Sequence, residues 1–383
     1  MVWTLVAALL LTATVIQLLY LVLLRRAGWG SNRWIKALAP NVSEAVSVVI
    51  CAQDEAGNLR ERLPSILNQN YAEGYFEVVV VDDGSTDDTA RVLQSLSEKY
   101  PHLQVVTLPP GFHKAFPGKK GALREGVARA KNPLLLFTDA DCRPASAEWL
   151  SRMVAPFGRQ GIEIVVGYGG YEVTGGFLNT FIRAETVYAF SQLHDLTRAG
   201  VPYMAVGRNM AVRKTVFQNA QSDPLWNATV SGDDDMLMRI AGKAQNVAIA
   251  QHKEAYTYSP AKGEWSAYIA QKQRHLSTGK YYKTTPKWLL GAIGFSHTVY
   301  WLTLLLLGVG ILTGAVDING YLTLLLYMVL LRYVLWHLEH RAAGRKLGER
   351  RLGTFFLLFD PLFAVYTLFF APYIFWKNKR QWT

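Results

Sequence analysis

The stretch VVVVDDGSTDDT, Val78 to Thr89, constrains this chain more than any other. Four uninterrupted β-branched residues suit a strand buried on both faces of a parallel sheet. Asp82 and Asp83 fall at the carboxyl end of that strand, and Gly84 permits a turn that other residues take only at a cost. Ser85 with Asp88 three residues on reads as a capping box, and Ala90, Leu93, Leu96 and Tyr100 continue at helical spacing. Ligands in open α/β sheets bind at such strand ends. Taken alone, the same residues are equally a solvated acidic turn with a good cap.

The neighbouring sequence repeats the alternation. Val46, Val48, Val49 and Ile50 make a first strand, and Leu59, Leu63, Ile66 and Leu67 mark a first helix. Val105 to Leu108 follows as a strand, Ala122 to Ala130 as a helix, and Leu134 to Thr138 as a strand ending in Asp139-Ala140-Asp141. Val165 to Gly176 reads as a strand and loop, and Asp233 to Ala241 as a helix that starts in three acids, where the helix dipole favours negative charge. Strands alternating with helices predict an α/β domain over residues 46–260, with a mainly parallel sheet and helices on both faces.

Outside that domain the chain is apolar. Hydrophobic residues make up 50% of the 383, and they are clustered. Val2 to Leu24 is uncharged and long enough to span a bilayer, with no basic n-region or cleavage site, so residues 1–26 read as an uncleaved anchor. Residues 27–45 form a linker. Arg25, Arg26, Arg33 and Lys36 beyond the anchor put the next domain in the cytosol, with a bacterial cytoplasmic membrane as the expected location. Residues 261–287 mix Trp265, Tyr268, Tyr281 and Tyr282 with Lys272, Arg274, Lys280, Lys283 and Lys287, which suits helices in the membrane interface.

Residues 288–376 hold two spans, Trp288 to Val316 and Tyr321 to Leu338, and an apolar stretch, Leu352 to Trp376, interrupted by Asp360-Pro361. A full third span would carry the basic tail, residues 377–383, to the outer side, against the positive-inside rule. A re-entrant hairpin or a broken helix is therefore expected at Asp360-Pro361. The net charge of +11 lies largely beside these apolar runs, which suits anionic headgroups better than nucleic acid. Cys51 and Cys142 form no ligand or disulfide pattern and fit a reducing compartment.

Three acidic sites stand at element ends: Asp82-Asp83, Asp139/Asp141 and Asp233-Asp234-Asp235. Two carboxylates one residue apart can both reach one hard cation, Mg²⁺ or Mn²⁺. Lys119, Lys120 and Gly121 offer cations and a helix amino terminus to a phosphate. A nucleophile elbow, a Walker loop and a GxGxxG fingerprint are absent from the sequence, which excludes a dinucleotide-dependent dehydrogenase. His102, His113, His194 and His252 have no metal-ligand spacing.

As an ordered set these residues resemble the family 2 glycosyltransferases, with a GT-A nucleotide-diphospho-sugar domain. The layout is similar to membrane-embedded members such as ceramide glucosyltransferases and cellulose and hyaluronan synthases. The likeness covers Val46 to Tyr282. The opening P-x-Y-N-E stands here as Cys51-Ala52-Gln53-Asp54-Glu55, with the glutamate kept, and VVDDGSxDxT is matched almost letter for letter.

The resemblance implies that Ala52, Asp54 and Glu55 line the nucleotide, that Asp82 or Asp83 bonds its uracil or ribose, and that Lys120 lies near it. It makes Asp139-Ala140-Asp141 the DxD metal motif, with Asp141 the more direct ligand. Gly207-Arg208-Asn209-Met210-Ala211 matches the acceptor-side G-x-N-M-A strand. The acidic helix supplies the general base, Asp233 by count with Asp234 one residue away, and Gly232 stands where a glutamate is usual. Gln271 and Arg274 match Q-x-x-R-W, over the diphosphate and the acceptor entrance, but His275 replaces the tryptophan.

The implied reaction is an inverting transfer from a nucleotide-diphosphate sugar, with uridine expected and guanosine the other base, to a lipid or other membrane-held hydroxyl. Two rivals remain. One is a processive polysaccharide synthase, for which Arg332 and Asp360 would line a polar path; the other is a non-catalytic, membrane-tethered nucleotide-sugar binder.

Overall fold

The computed structural model describes residues 1–25, 44–109, 111, 118–228 and 232–375. Most of the expected linker and all of the basic tail lie outside these residues. The chain opens with an apolar helix, α1 (Val2–Leu19), and then enters a seven-stranded sheet. The sheet strands are β1 (Val46–Ala52), β2 (Phe76–Asp83), β3 (Leu103–Leu108), β4 (Leu134–Asp139), β6 (Ile164–Gly167), β8 (Met210–Arg213) and β9 (Val247–Ala250), in the order β3-β2-β1-β4-β8-β6-β9. Every pairing is parallel except those of β8 with β4 and β6. A small second sheet joins β5 (Arg143–Pro144), β10 (Thr257–Ser259) and β7 (Gly169–Tyr171).

The apolar runs explain the layering. Val48, Ile50, Val78 and Val80 pack under α2 (Ala56–Leu67), α3 (Thr89–Lys99) and α5 (Trp149–Val154). Val49, Cys51, Val79 and Val81 point the other way, toward α4 (Lys119–Arg129), α6 (Gly176–Arg198), α7 (Lys214–Gln221) and α8 (Asp233–Ala241). Strands covered on both faces have no side to leave polar. The register places Ala52 beside Asp82 and Cys51 beside Asp139, so the carboxyl ends of β1, β2 and β4 meet at one edge.

Gly84 takes the left-handed conformation expected of it (φ 69°), but the capping box does not form. Helix α3 starts at Thr89, whose N–H donates to Asp87 Oδ1 at 2.9 Å. Ser85 Oγ instead accepts the Asp54 N–H at 3.0 Å, and Asp54 Oδ1 accepts the Thr86 N–H at 2.7 Å. The β2–α3 turn is thus tied to the β1–α2 turn, and the serine is consumed by that tie.

Among the described residues, four helical stretches are long and apolar enough to cross a membrane: Val2–Leu23, Thr284–Leu312, Gly320–Lys346 and Phe355–Tyr373. After α9 (Trp265–Leu276) these supply α10 (Thr284–Leu312), α11 (Gly320–Lys346) and α12 (Phe355–Phe370). The break expected at Asp360-Pro361 is absent, because α12 runs straight through it. Helix α11 removes both reasons to break. Arg332 pairs with the Asp360 carboxylate, and the Tyr333 hydroxyl donates at 3.0 Å to the Leu357 carbonyl that Pro361, lacking an N–H, leaves unbonded. Arg332 also bonds Gln17 of α1 at 2.9 Å and His297 of α10 at 3.0 Å. Arg332 and Asp360 are fully buried against each other, so they line no polar path.

Helix α6 is a feature that sequence reasoning missed. Its Tyr188 stacks on His340 of α11 and meets Phe363 of α12, while Phe181 meets Phe359 and Tyr366. Its Arg183 pairs with Glu349 in the loop between α11 and α12. One core therefore runs unbroken from the sheet into the apolar helices.

Candidate active site

The carboxyl edge of the sheet opens into a cavity of about 1580 Å³. Gln53 and Glu55 reach it from the end of β1, Asp139 and Asp141 from β4, Lys119 from the first turn of α4, and Gly207 and Arg208 from just before β8. The first turn of α8 supplies Asp233, Asp234 and Asp235, and the end of α9 supplies Gln271, Lys272, Arg274 and His275.

Charge is unevenly spent among these groups. Asp139 is ion-paired to Lys119. Desolvation pushes its carboxyl up, but Lys119 foremost, with Arg208 and Arg274, outweighs that and holds it below the usual carboxylate range. Asp141 is pushed above that range by desolvation and by the neighbouring Asp139 charge. Ligand atoms of Asp139, Asp141 and Cys142 lie within 4.8 Å of one another. Two carboxylates fit a hard divalent cation. The softer Cys142 thiol, which donates to Asp141 Oδ1 at 3.6 Å, suits such a cation less well.

The three acids of α8 have separate fates. Asp234 Oδ2 accepts the Gly207 N–H at 2.9 Å and its Oδ1 accepts the Asp235 N–H at 3.0 Å. Asp235 is buried and accepts from the hydroxyls of Thr278 and, at 3.2 Å, Tyr282. Asp233 faces the cavity, and desolvation raises its carboxyl despite Lys120 and Lys119 nearby. Gly232 precedes them at φ 81°, and a Cβ there would lie 2.4 Å from Thr278 Cγ2. The Asp235–Thr278 contact thus leaves no room for the glutamate usual at this position. His275 is exposed beside Arg274 on the cavity wall, where partial desolvation and the Arg274 and Lys272 charges shift its imidazole below its ordinary range.

The family description "Glycosyl transferase family 2" matches residues 47–220, and "Glycosyl transferase family group 2" matches residues 134–344. The chain is a family 2 glycosyltransferase. It is 28% identical over 189 residues to glycosyltransferase AglE of Haloferax volcanii, covering 49% of this chain and 58% of that protein. It is 25% identical over 281 residues to the probable glycosyltransferase YdaM of Bacillus subtilis, 70% of this chain and 64% of that one. Over 120 residues it is 30% identical to the β-monoglucosyldiacylglycerol synthase of a Nostoc species, 31% of this chain and 25% of the synthase. The chain thus spans less than two thirds of each of these relatives. The solved mannosyltransferase PcManGT from Pyrobaculum calidifontis, in complex with GDP-Man and Mn²⁺, shares the fold with a TM-score of 0.58 at 18% identity, over 96% of this chain and 99% of that one.

The transferase brings Glu55, Asp139, Asp141, Asp233, Asp234, Gln271, Arg274 and His275 together on the cavity wall. Six expected residues lie off that wall. Ala52, Asp82 and Asp83 are buried at the strand ends, where Asp82 Oδ1 accepts the Ser85 N–H at 3.2 Å. Asp54 is turned to the β2–α3 loop that it holds. Lys120 is 1% exposed and donates at 2.7 Å to the Trp226 carbonyl, with the indole ring 4.8 Å away. Successive helical residues point about 100° apart, so in α4 it is Lys119 that faces the cavity. Asn209 is fully buried and braces the backbone, donating to the Tyr168 and Ala255 carbonyls at 2.9 and 2.8 Å and accepting the Trp149 indole N–H at 3.0 Å. Beside it Arg208, to which sequence reasoning gave no role, stacks on Tyr171 at 4.3 Å and faces the carboxylates. A lone cation inside a matched motif was the available signal.

Proposed function

We propose that the transferase moves a sugar from a nucleotide-diphosphate sugar, UDP-linked in the first instance, to a hydroxyl of a lipid or other membrane-held acceptor by a single inverting displacement. The observation that carries this is Asp233. Of the three acids on α8 it is the one neither tied to Gly207 nor buried under Thr278, and it shares one cavity with Asp139 and Asp141. Its raised carboxyl suits a general base, which works best with a pKa near the working pH. It takes the proton of the acceptor hydroxyl while that oxygen bonds the anomeric carbon, and the bond to the diphosphate breaks with its electron pair leaving on the nucleotide.

Arg274 and Lys119, both on the cavity wall, would steady that leaving charge. Asp139 and Asp141 would hold Mg²⁺ or Mn²⁺, which when bound neutralises the charge developing on the diphosphate. No second carboxylate need act as nucleophile, in contrast to retaining glycosidases.

The membrane side of the reading rests on the apolar helices and on α12. Its Phe355 meets Phe177 of α6 at 5.8 Å, and its Phe370 meets Tyr268 of α9 at 6.4 Å. Both ends of α12 thus lie against the catalytic layer. A helix held in this way at both ends suits the membrane interface beside the catalytic layer.

The test is transfer by the full chain in lipid, with UDP- and GDP-sugars, Mg²⁺ or Mn²⁺, and products weighed by mass. One sugar added to a lipid is expected, and chelation should abolish it. A ladder of sugars would make the protein a polymer synthase. Nucleotide binding with no turnover on any acceptor would make it a binder.

A further inference from the structure

The cavity does not end at the catalytic residues. It continues as an apolar limb between α10 and α12, lined on one side by Leu290, Gly291, Gly294, Thr298 and Leu302 and on the other by Phe363, Thr367, Leu368 and Ala371. From Lys287 to Leu302 the lining residues of α10 span about 22 Å at the α-helical rise, most of a hydrocarbon layer of roughly 30 Å. Gly291 and Gly294 flatten this face: nothing lies within 4 Å of a Cβ at Gly291, and one at Gly294 would meet only Thr367, at 3.7 Å. Leu302, at the far end of the α10 wall, is 45% exposed, and Leu368, beside Thr367 on the α12 wall, is 51% exposed, so the limb opens sideways where α10 and α12 are bare. Its near end carries Arg274, Lys280 and Lys287.

We infer that this limb holds one hydrocarbon chain of the acceptor lipid, seated between α10 and α12 with its headgroup hydroxyl delivered to Asp233. The assignment rests on the lipid-acceptor reading above and gives that acceptor a place. Continuity with the catalytic cavity decides the occupant, because an apolar groove that starts at the general base and ends at an exposed, membrane-depth helix face suits a molecule with one polar and one long apolar end. A soluble sugar would leave the limb's apolar wall wet.

The test compares a long-chain lipid acceptor with a short-chain, water-soluble analogue bearing the same headgroup. Gly291→Trp, and separately Leu302→Trp, should raise the ratio of long-chain to short-chain KM about tenfold, the effect of leaving roughly 55 Å² of the lipid's apolar surface unburied. Gly308→Trp, on α10 but off the limb, should leave the ratio at its wild-type value; nothing lies within 4 Å of a Cβ there either. Nucleotide binding by each variant reports that it is folded. An unchanged ratio in both limb variants overturns the groove and leaves the lipid-transferase reading standing. A wild-type protein that hydrolyses the donor but glycosylates no lipid overturns that reading, and the groove with it.

Discussion

Two regions of this molecule bring carboxylates and cations together away from bulk water, and they do so to opposite ends. Between the apolar helices, Arg332, Asp360, His297 and Gln17 close on one another from four helices, and none of the four lines the cavity. At the sheet edge, Asp139, Asp141 and Asp233 face that cavity with only part of their charge compensated. A closed ionic cluster has its charges turned inward and holds helices in place. An open one leaves electrostatic work to be done on whatever enters.

The sharpest way to separate the two is to remove one carboxylate from each. Asp233→Asn should lower kcat by about 10²- to 10⁴-fold, the usual contribution of a general base, with the donor KM nearly unchanged. Its thermal midpoint should hold or rise, since a carboxyl already raised by desolvation gains from losing its charge. Near-full transfer by this variant would remove Asp233 from the mechanism. Asp360→Asn reverses the pattern. It strands Arg332 and should cost about 3 to 5 kcal/mol of stability, with kcat of the folded fraction near wild type. Pairing it with Arg332→Met should recover much of that loss, and thermal unfolding in detergent measures both.

The same contrast explains what could be read in advance. Strands β1, β2 and β4 were legible because an uninterrupted apolar run admits few environments, and their carboxyl ends carried the acids. The stretch holding each site group was legible too, but its phase was not. Lys119 and Lys120 adjoin, and only the packed helix turns Lys119 to the cavity and Lys120 to Trp226; Asp233 and Asp234 both reach the cavity, and only the packed helix ties Asp234 to Gly207. Asn209 was expected at the site through its match to the G-x-N-M-A strand, yet its amide is spent on two backbone carbonyls. The unbroken course of α12 through Pro361 depends on a hydroxyl and a guanidinium from α11, so no local signal announced it. Helix α6 escaped for a related reason: its apolar face is completed by α11 and α12, far along the chain.

A pH profile sharpens the open cluster further. As the proposed base, Asp233 must be deprotonated for transfer, and its carboxyl sits above the ordinary value of 3.8. Activity should therefore fall as pH drops through that raised value, with the acid limb of kcat/KM lying above the ordinary carboxylate range. Lys119 favours the charged form of Asp233, so Lys119→Gln should move the limb to still higher pH, by less than one unit for a partly solvated neighbour. A limb that stays put in Lys119→Gln would mean that another group titrates there.

The smallest effect tests the join between the two regions. Asp235 ties the first turn of α8 to Thr278 and Tyr282, in the segment that connects α9 to α10. Asp233 is two residues away on the same turn, so the orientation of the proposed base and the seat of the apolar limb share this tie. Tyr282→Phe removes one hydroxyl and keeps the ring, which packs edge-on to Tyr203 at 5.3 Å. The loss of one buried hydrogen bond should cost about 1 kcal/mol of stability, and kcat should fall a few-fold while the donor KM stays put. If kcat and the lipid KM shift together, the tie positions base and acceptor as a unit. If only the thermal midpoint moves, the tie is structural, and the open cluster works independently of the helices that carry it.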